Sequence, residues 1–398
     1  MENQVSLLKS IAMDEIDALA AHLVEISDDI HAHPEIRFKE HYSSRRLADA
    51  LEAGGFAVER GTAGMDTAFR GQVSLGRKSP TIAFLGEYDA LAEVGHACGH
   101  NIIGTAALGA GLALARVFKA EEAVKAGLQG RILVLGTPGE EAGGGKVVMV
   151  ENGVFRDVEA AMIVHPGSLT RVHSESIASY KVTIRFRGKP AHSASSPHEG
   201  INALDGLLMT FNAINALRQH ITPDARIHGI ITKGGFANNI VPELAEAQMC
   251  IRAADKKYHH ELIEKVKNCA RGAELQTGAK VEFELFGRTY DPMKSNSILE
   301  DVYRKNLGVL GLSEDTATKR GSGSTDMANV SQVVPSIHPS IAIGPKEMIG
   351  HTPEMCAASK SSEGHKGLLN AAKCMAMTAL DLLSDPELLE KARAEFRA

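Results

Sequence analysis

The chain has 398 residues, 44% of them hydrophobic and 23% charged, and a formal net charge of −6. That composition suits a soluble globular protein with room for two domains, and the lack of any long run of one sign excludes a nucleic-acid face or a polybasic membrane patch. No apolar run reaches the roughly 18 residues a bilayer span needs, and Met1-Glu2-Asn3-Gln4 has no basic start of a secretion signal, so the expected location is the cytoplasm.

Apolar residues at helical spacing, among them Ile11, Ile16, Leu19, Leu23 and Ile26, predict an N-terminal helix from about Leu7 to His31. A second helix runs from Ser43 to Ala53, with Ser43 or Ser44 as its cap and Gly54-Gly55 as its stop. Thr81–Leu85 is a compact apolar run, read as a strand buried on both faces that delivers the chain to Glu87 and Asp89. Small apolar residues from Asn101 to Val117 predict a buried helix with Asn101 as N-cap. Arg131–Leu135 and Ala161–Val164 read as further buried strands, with a short helix at Lys146–Glu151 between them. Strands alternating with helices imply a mainly parallel, helix-covered sheet that collects its ligands at the carboxyl ends of the strands.

The pattern changes after about Val172. Val182, Ile184 and Phe186 alternate with Lys181, Thr183, Arg185 and Arg187, the signature of a half-exposed strand. A helix at Asn202–Gln219, strands near 227–231 and 246–252, a helix at Lys257–Ala273 and a strand at Val281–Leu285 complete a small inserted α+β domain. The expected division is therefore a main domain over 1–174 and 289–398, interrupted by an inserted domain over 175–288. The last part adds a strand at Ile341–Ile343 and a closing helix from about Ser362 to Leu383.

Chemistry concentrates at turns. Cys98-Gly99-His100 sets a thiolate and an imidazole two residues apart, both ligands for a borderline-soft divalent ion. Alone, the tripeptide reads more often as a buried thiol beside a surface histidine. Downstream, however, Glu140-Glu141 sits on a glycine-rich turn after one strand, His165 ends another apolar run, and His351 precedes Thr352-Pro353-Glu354. Asp89, just before the Cys-Gly-His turn, is placed to orient a ligating imidazole. Five scattered cysteines are an odd number and argue against a disulfide framework. Two readings stay open on these residues: a metal-activated water, or a cysteine hydrolase using Cys98 with His100. A third is a metal-binding relative without catalysis.

Together, His-x-Cys-Gly-His, Glu-Glu, His-Pro and His-Thr-Pro-Glu, in this order, resemble the two-metal metallopeptidases that include aminoacylase and glutamate carboxypeptidase. Within them the chain is most similar to the amidohydrolase branch of hippurate, auxin-conjugate and aminobenzoyl-glutamate hydrolases, although Asn101 stands where many members have Asp. The resemblance implies two divalent ions per subunit, Zn or Mn with Co or Ni as alternatives, held by Cys98, His100, Glu141, His165 and His351. It makes Glu140 the general base. It makes His192, in Gly188-Lys189-Pro190-Ala191-His192, the group that stabilises the oxyanion, reaching in from a partner subunit. Asn239 and Arg252 would contact substrate, with Cys250 departing from the usual Asp beside Arg252, and Ser324 would lie on a substrate-facing loop. The implied substrate is a small amide, an N-acyl or N-aroyl amino acid or an unusual dipeptide, and the implied assembly is a homodimer through the inserted domain.

Overall fold

A computed structural model describes residues 2–316 and 323–398. The chain forms two compact units, one of Met1–Glu175, Met293–Gly321 and Thr325–Ala398, the other of Ser176–Pro292 with Ser322–Ser324. Gly321 and Ser322 of the expected substrate-facing loop lie outside the described residues.

The first unit opens with helices α1 (Glu2–Ala32) and α2 (His41–Ala53), strands β1 (Ala57–Arg60), β2 (Phe69–Leu75) and β3 (Thr81–Gly86), and helix α3 (His100–Val117). It continues with α4 (Glu121–Lys125), β4 (Gly130–Gly136), α5 (Gly145–Glu151), β5 (Ala160–Met162) and β6 (His165–Gly167). The second unit contains β7 (Ala178–Arg187), α6 (Ala203–Leu217), β8 (Arg226–Lys233), β9 (Leu244–Ala253), α7 (Lys256–Thr277) and β10 (Lys280–Leu285). The chain then returns with α8 (Ser297–Val309), α9 (Met327–Ser331), β11 (Ser336–Ile337), β12 (Ser340–Ala342), α10 (Pro353–Ala358), α11 (Ser362–Ser384) and α12 (Pro386–Arg397). That last helix was not expected from the sequence.

In the first unit the sheet order is β1-β2-β4-β3-β5-β11. The pairings β4–β3, β3–β5 and β5–β11 are parallel, while β1–β2 and β2–β4 are antiparallel. The α/β class is therefore as expected, a parallel-rich sheet with an antiparallel edge. Every residue of β3 and β4 is buried, because each strand faces a core on both sides. Ile82, Phe84, Ile132 and Val134 pack with α1, α3 and α11, whereas Ala83, Leu85, Leu133 and Leu135 pack with Met149, Phe155, Met327 and Val330. This explains continuous apolar runs in place of alternation.

Two helix starts differ from expectation. Gly99, in the left-handed region at φ 76°, caps α3, and Asn101 instead lies buried in the first turn, donating to Ser27 Oγ and Ser359 O at 3.0 Å each. At α2 the carboxylate of Glu35 accepts the Tyr42 and Ser43 N–H groups at 2.9 and 3.0 Å, so Ser43 and Ser44 are free to be buried inside the helix. His165 also opens a strand of its own, pairing with Ser340 in a separate parallel ladder β6–β12.

The second unit is a four-stranded antiparallel sheet, order β10-β7-β9-β8. Val182, Ile184 and Phe186 form a core with residues of α6 and α7 such as Leu207, Leu262 and Val266, as the alternation required. β8 is left at an edge with Ile230 63% and Ile231 41% exposed.

Candidate metal centre

In the first unit the candidate donors stand on turns, at a helix start and at a strand start, in segments that follow the strands of the sheet. Three sets of donor atoms lie within 4.8 Å of one another: Cys98, His100 and His165; Cys98, Glu141 and His351; and His100, Glu140 and Glu141. The five expected ligands and the expected base thus meet in one place. Each pair of sets shares one residue: Cys98 the first two, Glu141 the last two, and His100 the first and third.

Backbone geometry fixes these positions. A Cβ on Gly99 would stand 2.5 Å from Pro166 Cγ, so the glycine's left-handed turn lets the Cys98–His100 segment press against the loop that carries His165. A Cβ on Gly104 would meet the Glu87 carbonyl oxygen at 2.7 Å, which is how α3 comes flush with the end of β3. The Glu140-Glu141 turn is held by two carboxylates: Gly139 N–H donates to Glu40 Oε1 and Glu141 N–H to Asp89 Oδ2, both at 2.9 Å.

Asp89 also accepts His100 Nδ1–H at 2.9 Å, and His165 Nδ1–H donates to Pro166 O at 2.6 Å. Each bond leaves Nε2 as the lone-pair nitrogen facing the cluster. His100 Nε2 is buried with no hydrogen-bond partner among the described residues, a condition that buried polar atoms avoid unless something else satisfies them, and Glu141 Oε1 faces His351 Nε2 at 3.1 Å. Burial opposes charge on Cys98, but the imidazoles of His100 and His165 pull its thiol down to about 5, so it is a thiolate at neutral pH. His351 is pushed up to about 10, first by its hydrogen bond to Cys98 and then by that to Glu141. Nitrogen and oxygen donors around a thiolate fit divalent transition ions such as Zn.

The adjacent carboxylates differ sharply. Burial, with Glu87 and Asp326 nearby, pushes Glu140 well above the ordinary range. Glu141, although burial raises it, is lowered on balance by its contacts with His351 and His100. Opposite shifts in neighbouring carboxyls separate a proton carrier from a standing anion.

The second unit holds the remaining expected residues in two groups. Ser193 N–H donates to Asn239 O at 3.0 Å and Val241 N–H to Ala191 O at 2.9 Å, so His192 and Asn239 sit on neighbouring loops. His192 Nδ1 accepts the Ala194 and Ser195 N–H groups at 3.2 Å, which places the imidazole proton on Nε2, the form that can donate to an oxyanion. Arg252 donates to Ser324 Oγ at 2.9 Å, and Ser324 donates to Ile177 O at 2.6 Å. Asn239 precedes β9 and Arg252 lies near its far end, so the strand's rise of about 3.3 Å per residue separates the two groups by roughly 25 Å. Sequence reasoning missed Glu40, Lys146 and Asp326, which are fully buried charged residues beside the cluster.

Clustered donor sets of this kind, with a further carboxylate beside them, are the equipment of a metal-dependent hydrolase, the class to which the fold and site point. Residues 172–277 match the M20 peptidase dimerisation domain. The chain is 37% identical to the Xaa-Arg dipeptidase of Mus musculus, over 99% of this chain and 93% of that one. It is 32% identical to a p-aminobenzoyl-glutamate hydrolase chain of Escherichia coli, over 96% and 94%. Its fold matches a dinuclear metal-binding peptidase of the M20 family from Bacillus subtilis with a TM-score of 0.69 at 19% identity, covering 92% of this chain and 99% of that one. The chain belongs to the M20 family of peptidases and amidohydrolases, as its motifs suggested. Among the described residues no helix is long and apolar enough to cross a membrane.

Proposed function

We propose that this hydrolase cleaves the amide bond of a small peptide-like substrate, an unusual dipeptide or an N-acyl or N-aroyl amino acid, at a centre of two divalent ions. The observation that carries this reading is the pair of donor triads sharing Cys98 Sγ, with Glu140 in a third set beside them. A cysteine hydrolase would use neither Glu141 nor His351. When bound, the ions supply Lewis acidity, polarising the amide carbonyl and lowering the pKa of water. Cys98, His100 and His165 would hold one, and Cys98, Glu141 and His351 the other. Glu140 takes the proton from the attacking water and returns it to the leaving amine. His192 donates Nε2–H to the developing oxyanion, Asn239 orients the substrate, and Arg252 with Ser324 receives its carboxylate. The Xaa-Arg dipeptidase and aminobenzoyl-glutamate hydrolase relatives support a substrate ending in a free amino-acid carboxylate.

The roughly 25 Å between the His192 and Arg252 groups exceeds a dipeptide. A single substrate therefore cannot meet both groups of the same chain, which is the reason a partner subunit would have to supply one of them. The apolar edge of β8 supports the homodimer this requires.

The test compares Glu140→Gln with Glu141→Gln against a panel of Xaa-Arg dipeptides, aminobenzoyl-glutamate and N-acyl amino acids. Glu140→Gln should retain its metal while kcat falls by about two or more orders of magnitude, the scale of general acid–base catalysis. Glu141→Gln should lose an ion. The reverse pattern exchanges the two roles, and full hydrolysis by verified metal-free protein defeats the mechanism.

A further inference from the structure

The ammonium of Lys146 is completely buried, 2.5 Å from Glu87 Oε1 and 2.6 Å from Asp326 Oδ1, and the Lys146 backbone N–H donates to Asp326 Oδ2 at 2.9 Å. Desolvating such charges costs several kcal/mol per ion, so a buried assembly of this kind survives only where each charge is answered. Two carboxylates against one ammonium leave a negative charge over.

The other oxygen of Glu87 shows where that charge is directed. Oε2 stands 3.3 Å from His100 Nε2, the nitrogen left as a lone pair by the His100–Asp89 bond. The contact is not a hydrogen bond, since neither atom has a hydrogen-bond partner among the described residues. A buried imidazole nitrogen and a buried carboxylate oxygen brought this close, without hydrogen-bond geometry between them, are placed as two ligands of one cation would be. Donors bound at about 2.0–2.3 Å with tetrahedral or octahedral angles lie about 3–3.6 Å apart. The same spacing recurs within the two triads, at 3.1 Å between His351 Nε2 and Glu141 Oε1 and at 3.4 Å between Cys98 Sγ and His165 Nε2.

We propose that Glu87 is a sixth protein donor of the centre, binding through Oε2 the ion that His100 holds, and that Lys146 is the positioning residue that engages Oε1 and so keeps Glu87 monodentate. The inference rests on the metal reading above and adds a consequence to it. The His100 ion then has four protein donors, Cys98, His100, His165 and Glu87, the number that closes a tetrahedral site. The other ion has three, Cys98, Glu141 and His351, and keeps a position open. Water activation and carbonyl binding are thereby assigned to the Glu141–His351 side.

The experiment titrates metal-free protein with Co(II), reading affinity by calorimetry and coordination number from the visible ligand-field and thiolate charge-transfer bands. Wild type should take two ions per chain. Glu87→Gln keeps the volume and an acceptor for Lys146 but is a poor donor, and should bind one of the two ions about 100-fold or more weakly, at or beyond the loss seen for supporting residues around a metal. Glu87→Asp keeps the negative charge but withdraws it by one methylene, and should show the same selective loss with altered ligand-field intensity. Wild-type affinity for both ions in Glu87→Gln overturns the proposal. Loss in Glu87→Asp no greater than a few-fold, beside a large loss in Glu87→Gln, overturns it in favour of long-range charge attraction. A wild-type chain that binds no Co(II) removes the metal reading itself.

Discussion

Asp89 is the point at which both triads can be perturbed by a single atom. Its Oδ1 accepts His100 Nδ1–H and its Oδ2 accepts Glu141 N–H, each at 2.9 Å, and the side chain is buried. Hydrogen bonds to a charged acceptor contribute about 1.5–3 kcal/mol each. Asp89→Asn preserves the shape but offers one oxygen and one NH2 group. If the oxygen keeps Glu141 N–H, the NH2 faces His100 Nδ1, which must then accept, and the imidazole proton moves to Nε2, the atom a metal needs. If the oxygen keeps His100, two donors confront each other at Glu141, leaving a buried N–H unsatisfied at about 1–3 kcal/mol. Either outcome damages one triad and spares the other. Apparent affinity for one of two ions should therefore fall by about 10–100-fold, roughly 1.4–2.7 kcal/mol. Competition with a chromophoric chelator measures this, and nitrogen NMR of the imidazoles reports which ring atom carries the proton. Wild-type affinity for both ions, with His100 still protonated on Nδ1, would refute the argument.

Three other expectations follow from different parts of the molecule. Burial, with Asp89 nearby, pushes the Glu40 carboxyl from its ordinary 4.5 up to about 7; a raised acid favours the folded state while protonated, so stability should fall as pH rises from about 4.5 to about 7, by up to about 3 kcal/mol. Glu40→Gln should flatten that slope in denaturant titrations at several pH values, and an unchanged slope would exclude Glu40 as its source. In the second unit, Ile230→Lys on the exposed edge of β8 should yield monomers by light scattering. His192→Ala and Glu140→Gln homodimers should each be nearly inactive, whereas verified heterodimers of the two should regain one working site in two; no recovery would place His192 outside the partner's site.

The candidate donors were legible in the sequence because each stands at a strand end or on a turn, and a lone donor beside glycine or proline marks such a place. Asp89 was legible for the same reason, close behind the end of Thr81–Gly86. Glu40, Lys146 and Asp326 were not, because their meaning lies in partners far along the chain: Gly139 for Glu40, 99 residues away, and Lys146 for Asp326, 180 residues away. A local signal existed for Lys146, which lies between Gly143-Gly144-Gly145 and Val147-Val148-Met149-Val150 and so enters an apolar environment with no nearby countercharge. The cap of α3 was misread because Asn101 has the better capping side chain, yet its amide is drawn to Ser27 and Ser359, and only glycine can adopt the left-handed turn against Pro166.

The two triads are supported unequally, and the inequality follows the division of labour inferred for the ions. His100 opens α3, in which every residue except Arg116 is buried, and its ring is pinned by Asp89 from the end of β3, a strand buried throughout. Side chains locked by a core lose little freedom when they bind, which favours tight, permanent coordination. His351 is different. It has a left-handed φ of 62°, its backbone is tied by one N–H to Ala97 O at 2.9 Å, and its side chain is 54% exposed. Glu141 stands opposite on a turn that itself needs positive φ at Gly139, Ala142 and Gly144. A donor pair on irregular, water-facing backbone holds its ion less rigidly and leaves space beside it, and that space is what an incoming amide and its attacking water require. The rigid side thus suits the closed ion that stays in place, and the open side suits the ion at which the substrate changes.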